Sequence, residues 1–374
     1  MEQRILSYLK EHESEIFADL EKLVRAEAST ADVKELEVCR AVLSEIVMKR
    51  LGIKTELVAT NGDHPLLTFS YGSGEEKVVL VGHYDTVCPI GSMEFRKEGN
   101  ELHGPGVLDM KSGLISAIWT MKSYQALEID PGKKVTVIMN GDEEKRSPES
   151  SDIICELSRG AKAAFICEPS TSNGDLKTGR KGSIGFWVTI HGKSTHAGND
   201  HKGGINAIEE MAREIQFVHS LTDYEVGTTL NVGVCSGGTK GNVVPNLATF
   251  EVDCRYLIPS EGERIKNLIS GYTATVPGTI REVKVDTGLP PMEQTEGNLR
   301  LFELAKKCGQ ELELSFSHKL VGGGSDGNKL SAMGIPTLDG MGAVGDGAHG
   351  VNEHLVIDRY IPRIALLAST VAKV

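Results

Sequence analysis

Five short segments of this 374-residue chain present side chains that bind cations: Gly82-His83-Tyr84-Asp85-Thr86, Leu108-Asp109-Met110-Lys111, Gly141-Asp142-Glu143-Glu144, Ile166-Cys167-Glu168-Pro169 and Gly347-Ala348-His349-Gly350. Three of the five follow an apolar run directly. Together they offer two histidines and several carboxylates, a ligand set that suits a pair of zinc ions. The chemistry implied is metal-assisted hydrolysis.

Taken singly, each segment has a plainer reading beside the chemical one. His83 can ligate through one ring nitrogen. Asp85, two residues on, points the same way in an extended segment, where it can hydrogen-bond the other ring nitrogen or orient a catalytic group nearby. The two oxygens of Asp109 can bridge two cations, but a helix N-cap also favours Asp. Adjacent Glu143 and Glu144 repel each other unless a cation is close. One then suits metal binding and the other proton transfer, whereas an exposed acidic turn beside Lys145 and Arg146 is the alternative. Pro169 holds Glu168 extended, and a carboxylate there is costly to bury without a cation. His349 lies between Gly347 and Gly350, which allow close approach to a ligand; alone it is an ordinary loop histidine.

The elements that must position these residues follow from the hydrophobic rhythm. Val78-Val79-Leu80-Val81, Val135-Thr136-Val137-Ile138-Met139 and Ala163-Ala164-Phe165-Ile166 are short apolar runs, and residues 113–125 carry Leu114, Ile118 and Met121 at helix spacing. Strands alternating with helices predict an α/β sheet, at least partly parallel. Ligands gather at the carboxyl ends of such strands, and His83, Glu143, Glu144 and Glu168 lie just past the runs. After Gly179 the rhythm changes. Residues 183–190, 228–234, 248–255 and 280–286 read as strands, and 205–220 and 261–274 as helices, a βαββαβ order of ferredoxin-like type. The expectation is a mixed-sheet, α/β/α catalytic domain from residues 1–178 and 290–374. A ferredoxin-like domain is inserted at 179–289, with Leu289-Pro290-Pro291 at its exit.

Bulk properties narrow the partners. A net charge of -12 with 25% charged residues argues against nucleic acid or an anionic membrane. The seven cysteines are scattered without CxxC spacing, as reduced thiols are; Cys88 and Cys167 read as packing residues. Residues 1–30 form an amphipathic stretch with Phe17, Leu20 and Val24 on one face, without a signal-peptide core. No run reaches membrane-spanning length, so a cytoplasmic protein is expected. Gly322-Gly323-Gly324-Ser325-Asp326-Gly327 lacks the lysine and the strand context of a phosphate loop.

Along nearly the whole chain stand, in order, Gly82-His83-Tyr84-Asp85-Thr86-Val87, Gly106-Val107-Leu108-Asp109-Met110-Lys111-Ser112-Gly113, Asp142-Glu143-Glu144, Cys167-Glu168-Pro169, Ser194-Thr195-His196-Ala197-Gly198, Asn242-Val243-Val244-Pro245, Gly322-Gly323-Gly324-Ser325-Asp326-Gly327 and His349-Gly350. In these motifs the chain resembles the M20 family of di-zinc metallopeptidases and deacylases, and within it the carboxypeptidase G2-like (glutamate carboxypeptidase) branch. The resemblance implies His83 and Glu168 as terminal ligands of one zinc and Glu144 and His349 of the other. Asp109 bridges them, with a cis peptide to Met110; cobalt or manganese are possible substitutes. Glu143 becomes the general base and Asp85 the orienting acid behind His83. The inserted domain becomes a lid and the interface of a homodimer, from which His196 stabilises the oxyanion.

The resemblance further implies that Arg255 and Asn242 hold the substrate's free α-carboxylate and that Gly324 and Ser325 line its site. A guanidinium matches a carboxylate with two parallel hydrogen bonds. Without the resemblance, Arg255 reads as half of a strand-end salt bridge, Asn242 as turn chemistry and His196 as a capped loop histidine. Lys177, Arg180 and Lys181 are placed to help an acidic side chain bind. The expected activity is cleavage of a small peptide or N-acyl amino acid next to its C-terminal carboxylate. A deacylase of N-acyl amino acids or a dipeptidase is the alternative, and a non-catalytic peptide binder the more distant one. One departure bears on specificity. Some glutamate-releasing relatives carry an arginine in a Gly-Arg-Pro context, where this chain has Gly288-Leu289-Pro290.

Overall fold

The computed structural model describes all 374 residues. They fall into two compact units. The first comprises Met1–Gly179, Gln294–Val321 and Ser325–Val374; the second comprises Arg180–Glu293 with Gly322–Gly324.

The first unit is built on a six-stranded mixed sheet. Its order is Glu56–Val58, Leu66–Tyr71, Lys134–Asn140, Lys77–His83, Ala163–Ile166 and Thr337–Leu338. The last four run parallel, and the first two join antiparallel. Successive side chains of a strand alternate between faces. Val78 and Leu80 accordingly enter one core with Trp119, Tyr124 and Tyr360, while Val79 and Val81 enter a second with Ile154 and Leu330. Helices Ser112–Leu127 and Ile357–Lys373 cover the first face, and helices Ser151–Ser158 and Gly327–Ala332 the second. Burial on both faces explains why the inner strands are continuous β-branched and apolar runs.

Register aligns the strand ends. His83 lies opposite Asn140, and Val81 opposite Ile166. The residues that follow these strands therefore emerge together at one edge. Gly113 lets the helix Ser112–Leu127 start against that edge: a Cβ there would lie 2.0 Å from the carbonyl oxygen of Cys167. A smaller antiparallel sheet, ordered Gly345–Asp346, His354–Val356, Glu101–His103 and Arg96–Glu98, flanks the same edge. Its turn between Gly345–Asp346 and His354–Val356 carries His349.

The second unit holds a four-stranded antiparallel sheet ordered Thr229–Gly237, Leu247–Tyr256, Gly182–His191 and Ile280–Asp286. With helices Ala207–Ser220 and Pro259–Ser270 the chain order is βαββαβ. Alternate residues Ile184, Phe186, Val188 and Ile190 pack with Phe250, Val252, Ile265 and Ile269 in its own core. Asn206 caps the first helix, its side chain accepting from the Glu209 amide at 3.0 Å, so that helix starts after 205. The second ends at Ser270, before Gly271 and short of the expected 274.

Candidate metal centre

All five expected ligands converge in the first unit. Nε2 of His83 lies 3.3 Å from Oδ1 of Asp109 and 3.3 Å from Oε1 of Glu168. Nε2 of His349 lies 3.3 Å from Oδ2 of Asp109 and 3.2 Å from Oε2 of Glu144. Asp109 thus turns one oxygen toward each imidazole. Glu143 is adjacent, its Oε2 3.9 Å from His83 Nε2. The ligand atoms of His83, Glu143 and Glu168, and those of His83, Asp109 and Glu144, lie within 4.8 Å of one another.

The distances allow the fit to a cation to be tested. Ligands at about 2.0–2.1 Å around a tetrahedral ion stand about 3.3 Å apart, whereas direct hydrogen bonds between charged groups run at about 2.7–2.9 Å. The four separations match the first value. Oδ1 of Asp109 and Oε1 of Glu144 are buried acceptors without a hydrogen-bond donor, an expensive arrangement unless a cation satisfies them. Imidazole and carboxylate ligands suit zinc, with cobalt or manganese also compatible. The residues present therefore fit the group.

Electrostatics agree with the geometry. Burial pushes the Glu143 carboxyl well above its usual range; His83 opposes this, and Glu168, Asp326 and Asp109 add to it. Burial disfavours a charged His83, but Asp109, Asp85 and Glu168 outweigh burial and raise its pKa well above normal. Asp109 and then Glu144 raise His349 to about 10. Asp109 itself is lowered: burial works against the anion, and His349 and His83 more than offset it.

Each ligand is positioned by identifiable contacts. Nδ1 of His83 is 2.9 Å from the Asp85 carbonyl and 3.3 Å from its Oδ1. Nδ1 is therefore the nitrogen that keeps its proton, and Nε2 is the one that would give up a proton to ligate a cation. The Asp85 carboxylate accepts from the amides of Glu143 at 3.2 Å and Glu144 at 3.3 Å, so it supports both His83 and the Glu143–Glu144 turn. Thr30 donates to the same carboxylate at 2.8 Å. The turn is not an exposed acidic one: the side chains of Glu143 and Glu144 are 15% and 6% exposed. Nor is Asp109 a helix cap, because Lys111 holds the N-cap position of Ser112–Leu127. The Asp109–Met110 peptide is cis, as the resemblance implies. Glu168 is anchored through its carbonyl, which accepts from the Gly342 amide at 2.8 Å. His349 adopts φ 65, a left-handed backbone state that is uncommon for non-glycine residues but enriched among histidines.

Sequence reasoning missed several supporting residues. Glu353 is 1% exposed and accepts from the amides of Gly106, Leu108 and Asp109 at 3.1, 2.8 and 2.9 Å. Asp326 accepts from Asn140 at 3.0 Å and from the Ser147 hydroxyl at 2.5 Å, bracing the end of Lys134–Asn140. Asp142 closes the following turn by accepting from the amides of Glu149 and Ser150 at 2.8 and 3.2 Å. Cys88 and Cys167 are buried free thiols; burial raises both.

The remaining candidates have local partners. In the second unit, Nδ1 of exposed His196 accepts from the amides of Gly198 and Asn199 at 3.1 and 3.2 Å, which leaves its proton on Nε2. The Asn242 carbonyl accepts from the Ala197 amide at 3.0 Å, so Asn242 is a neighbour of the His196 segment. Arg255 grips Asp253 with Nε at 2.7 Å and Nη2 at 2.9 Å, the strand-end salt bridge. The Gly324 carbonyl accepts from Arg180 at 3.1 Å. In the first unit, Ser325 is buried and its hydroxyl donates to Asp339 at 2.6 Å; that hydroxyl serves the loop.

Comparison with known proteins places this geometry. Residues 79–373 match Peptidase family M20/M25/M40. The chain is 28% identical over 368 residues to Carboxypeptidase G2 of Pseudomonas sp. (strain RS-16), covering 95% of this chain and 88% of that protein. It is 25% identical over 340 residues to Succinyl-diaminopimelate desuccinylase of Bordetella avium (strain 197N), covering 86% and 89%. In fold it is similar to a tripeptidase from Staphylococcus aureus subsp. aureus Mu50, with a TM-score of 0.80, 22% identity, and 96% of this chain and 97% of that chain covered. No helix is long and apolar enough to cross a membrane. A match across most of its length makes this chain a member of peptidase family M20/M25/M40, a family of metallopeptidases and related amide hydrolases.

Proposed function

We propose that the protein is a metal-dependent hydrolase of the carboxypeptidase G2 type, cleaving a peptide or N-acyl amide bond next to a free C-terminal α-carboxylate. His83 and Glu168 would hold one zinc ion, Glu144 and His349 a second, and Asp109 both. Bound in this way, the cations lower the pKa of a water toward neutrality and polarise the scissile carbonyl. The observation that carries the reading is the Asp109 carboxylate, 3.3 Å from each of two imidazoles.

Glu143 is the general base. Its carboxyl is buried, and burial raises it, the direction that favours accepting a proton. It takes a proton from the attacking water and delivers it to the leaving nitrogen. Asp85 keeps His83 Nε2 aimed at the cluster and holds the Glu143 turn. The Nε2–H of His196 is a donor for the carbonyl oxygen as it gains charge. Arg255 and Asn242 hold the α-carboxylate, with Arg255 sharing its fork between that group and Asp253. Gly324 and Ser325 line the site through their backbone.

The second unit serves as the lid and the homodimer interface. Its edge strand Thr229–Gly237 is mostly exposed, and such an edge is a template for pairing with another chain. Seven free thiols support a reducing, cytoplasmic setting. The test is zinc-loaded Glu143→Ala: metal content is retained and turnover collapses. Retained turnover in that protein removes the assignment.

An N-acyl-amino-acid deacylase or dipeptidase is the second reading. Gly288-Leu289-Pro290 favours it, since no arginine stands where some glutamate-releasing relatives carry one. Rates on peptidyl, acetyl and succinyl amino acids separate the two. Metal-independent binding without turnover would instead mark a peptide-binding protein.

A further inference from the structure

We propose that Thr30, clasped by His64 and Glu149, is a positioning residue for the proposed hydrolysis: it holds the Asp85 carboxylate, and through it the turn that carries Glu143. The inference rests on the assignment of Glu143 as the base. Asp85 is 0% exposed, so water cannot replace a donor that it loses. Its Oδ1 accepts from the Glu143 amide at 3.2 Å and its Oδ2 from the Glu144 amide at 3.3 Å. The Thr30 hydroxyl donates to Oδ2 at 2.8 Å, the shortest of the three bonds. Without it, Oδ2 keeps only the long bond from Glu144, and the carboxylate that aligns the turn is free to shift.

Each polar group of buried Thr30 bonds to the same neighbourhood. Its amide donates to the Thr86 carbonyl at 3.0 Å. Its carbonyl accepts from Lys145 Nζ at 3.1 Å and lies 3.1 Å from Nε2 of His64. Lys145 ends the short helical turn Glu143–Lys145. The other ring nitrogen of His64, Nδ1, is 2.8 Å from Oε1 of Glu149, and the His64 amide donates to Oε2 at 2.9 Å. Glu149 closes the chain segment that begins with Asp142, to which its amide donates at 2.8 Å. The Thr30 carbonyl is thus tied to the Glu143 segment twice, directly by Lys145 and through His64 by Glu149.

His64 is the unusual member. Both ring nitrogens face acceptors, a carboxylate oxygen and a carbonyl oxygen, and a ring that bonds both carries a hydrogen on each nitrogen. The clasp is then a charge-assisted pair with Glu149, stronger than a neutral bond. Burial disfavours the Glu149 anion, but the amide and ring of His64 outweigh burial and lower its pKa. The plainer role is a histidine that only fills space beneath its loop. That role needs no link to two segments, and it leaves the Glu143 turn untouched when His64 is changed. The Pro65 carbonyl accepts from the Tyr84 hydroxyl at 2.7 Å, so the residue after His64 is fixed to the residue before Asp85. Small displacements of a reacting group are costly in rate, and the clasp restricts them from a distance.

The test compares zinc-loaded Thr30→Val, Thr30→Ser, His64→Gln and the double variant Thr30→Val/His64→Gln at equal metal content, with Glu143→Ala as the reference. Valine keeps the shape and removes the donor, whereas serine keeps the donor. Glutamine has a single amide nitrogen and cannot serve both acceptors. Thr30→Val should lower kcat by about 10–100-fold with KM within about two-fold, and Thr30→Ser should regain most of that loss. His64→Gln should lower kcat several-fold at unchanged KM, and by a smaller factor in the double variant, because it acts through Thr30. Unchanged kcat in Thr30→Val, a serine variant as slow as the valine one, or losses that simply multiply in the double variant overturns the proposal. If valine prevents folding, His64→Gln decides alone, and an unchanged kcat there overturns it. Turnover surviving in Glu143→Ala is a separate failure, since it removes the base on which the proposal rests.

Discussion

In the first unit, His83, Glu143, Glu144 and Glu168 stand at or just past the ends of parallel strands, mostly buried, with the amides of Glu143 and Glu144 held by Asp85 and that of Asp109 by Glu353. In the second unit, His196 and Asn242 sit exposed on loops, and Arg255 is bound to a neighbour on its own strand. The first arrangement fixes reacting groups in place, as chemistry requires. The second holds its side chains by local contacts at the surface, where binding residues on loops of rigid scaffolds are often found. If the second unit recognises the substrate, as proposed, its choice can change without disturbing the cluster.

The largest effect belongs to the rigid side. Glu143→Gln removes the base without removing a ligand, so kcat should fall by about 10²–10⁴-fold at unchanged metal content. Kinetics and metal analysis on the same sample check it. A comparable loss of metal would make Glu143 a ligand rather than a base. His196→Ala tests whether the second unit also takes part in chemistry. Loss of one donor to the developing charge should lower kcat by about 10²–10³-fold with KM little altered. A change confined to KM would reduce the second unit to binding alone.

Glu353→Gln probes how far the rigidity depends on its supports. The amide side chain has only one acceptor for three backbone donors, so the Asp109 loop should loosen and metal affinity fall by about 10–100-fold. Competition with a chelator measures it. The pH dependence of the same affinity has a definite sign. His349, raised to about 10 by Asp109 and Glu144, is protonated below that pH in the cation-free protein, and binding must expel the proton. Affinity should therefore rise with pH, by about tenfold per unit for each proton released. Chelator competition at two pH values, with a flat result, would mean that His349 is not a ligand.

The ends of the parallel strands were legible because an apolar run of fixed direction delivers the next polar residue to the sheet edge. Gly82-His83 and Cys167-Glu168 are of this kind, and the βαββαβ order was legible from alternation alone. The supports were not. Thr30 and Asp85 are 55 positions apart, and Glu353 and Asp109 are 244 apart; no local pattern marks a glutamate that will accept three distant amides. The choice between N-cap and cluster ligand for Asp109 required its backbone, because both roles favour the same residue before a helix. Asp253 was within reach, since residues two apart on a strand share a face, and the strand-end salt bridge foresaw a partner for Arg255 without naming it.

That pair gives the smallest and most selective test of the contrast between the units. Arg255 is 32% exposed, so its bond to Asp253 is worth little in stability, yet it occupies the fork that a substrate carboxylate would use. In Asp253→Asn the guanidinium loses its charged competitor and keeps its place on the strand. KM for substrates with a free α-carboxylate should fall by a few-fold, kcat should hold, and amidated substrates should show no change. Arg255→Lys should raise KM for the same substrates, because an ammonium cannot reproduce the two parallel bonds. If both variants leave KM alone, Arg255 is only the strand-end partner of Asp253, and the surface of the second unit must recognise its substrate elsewhere.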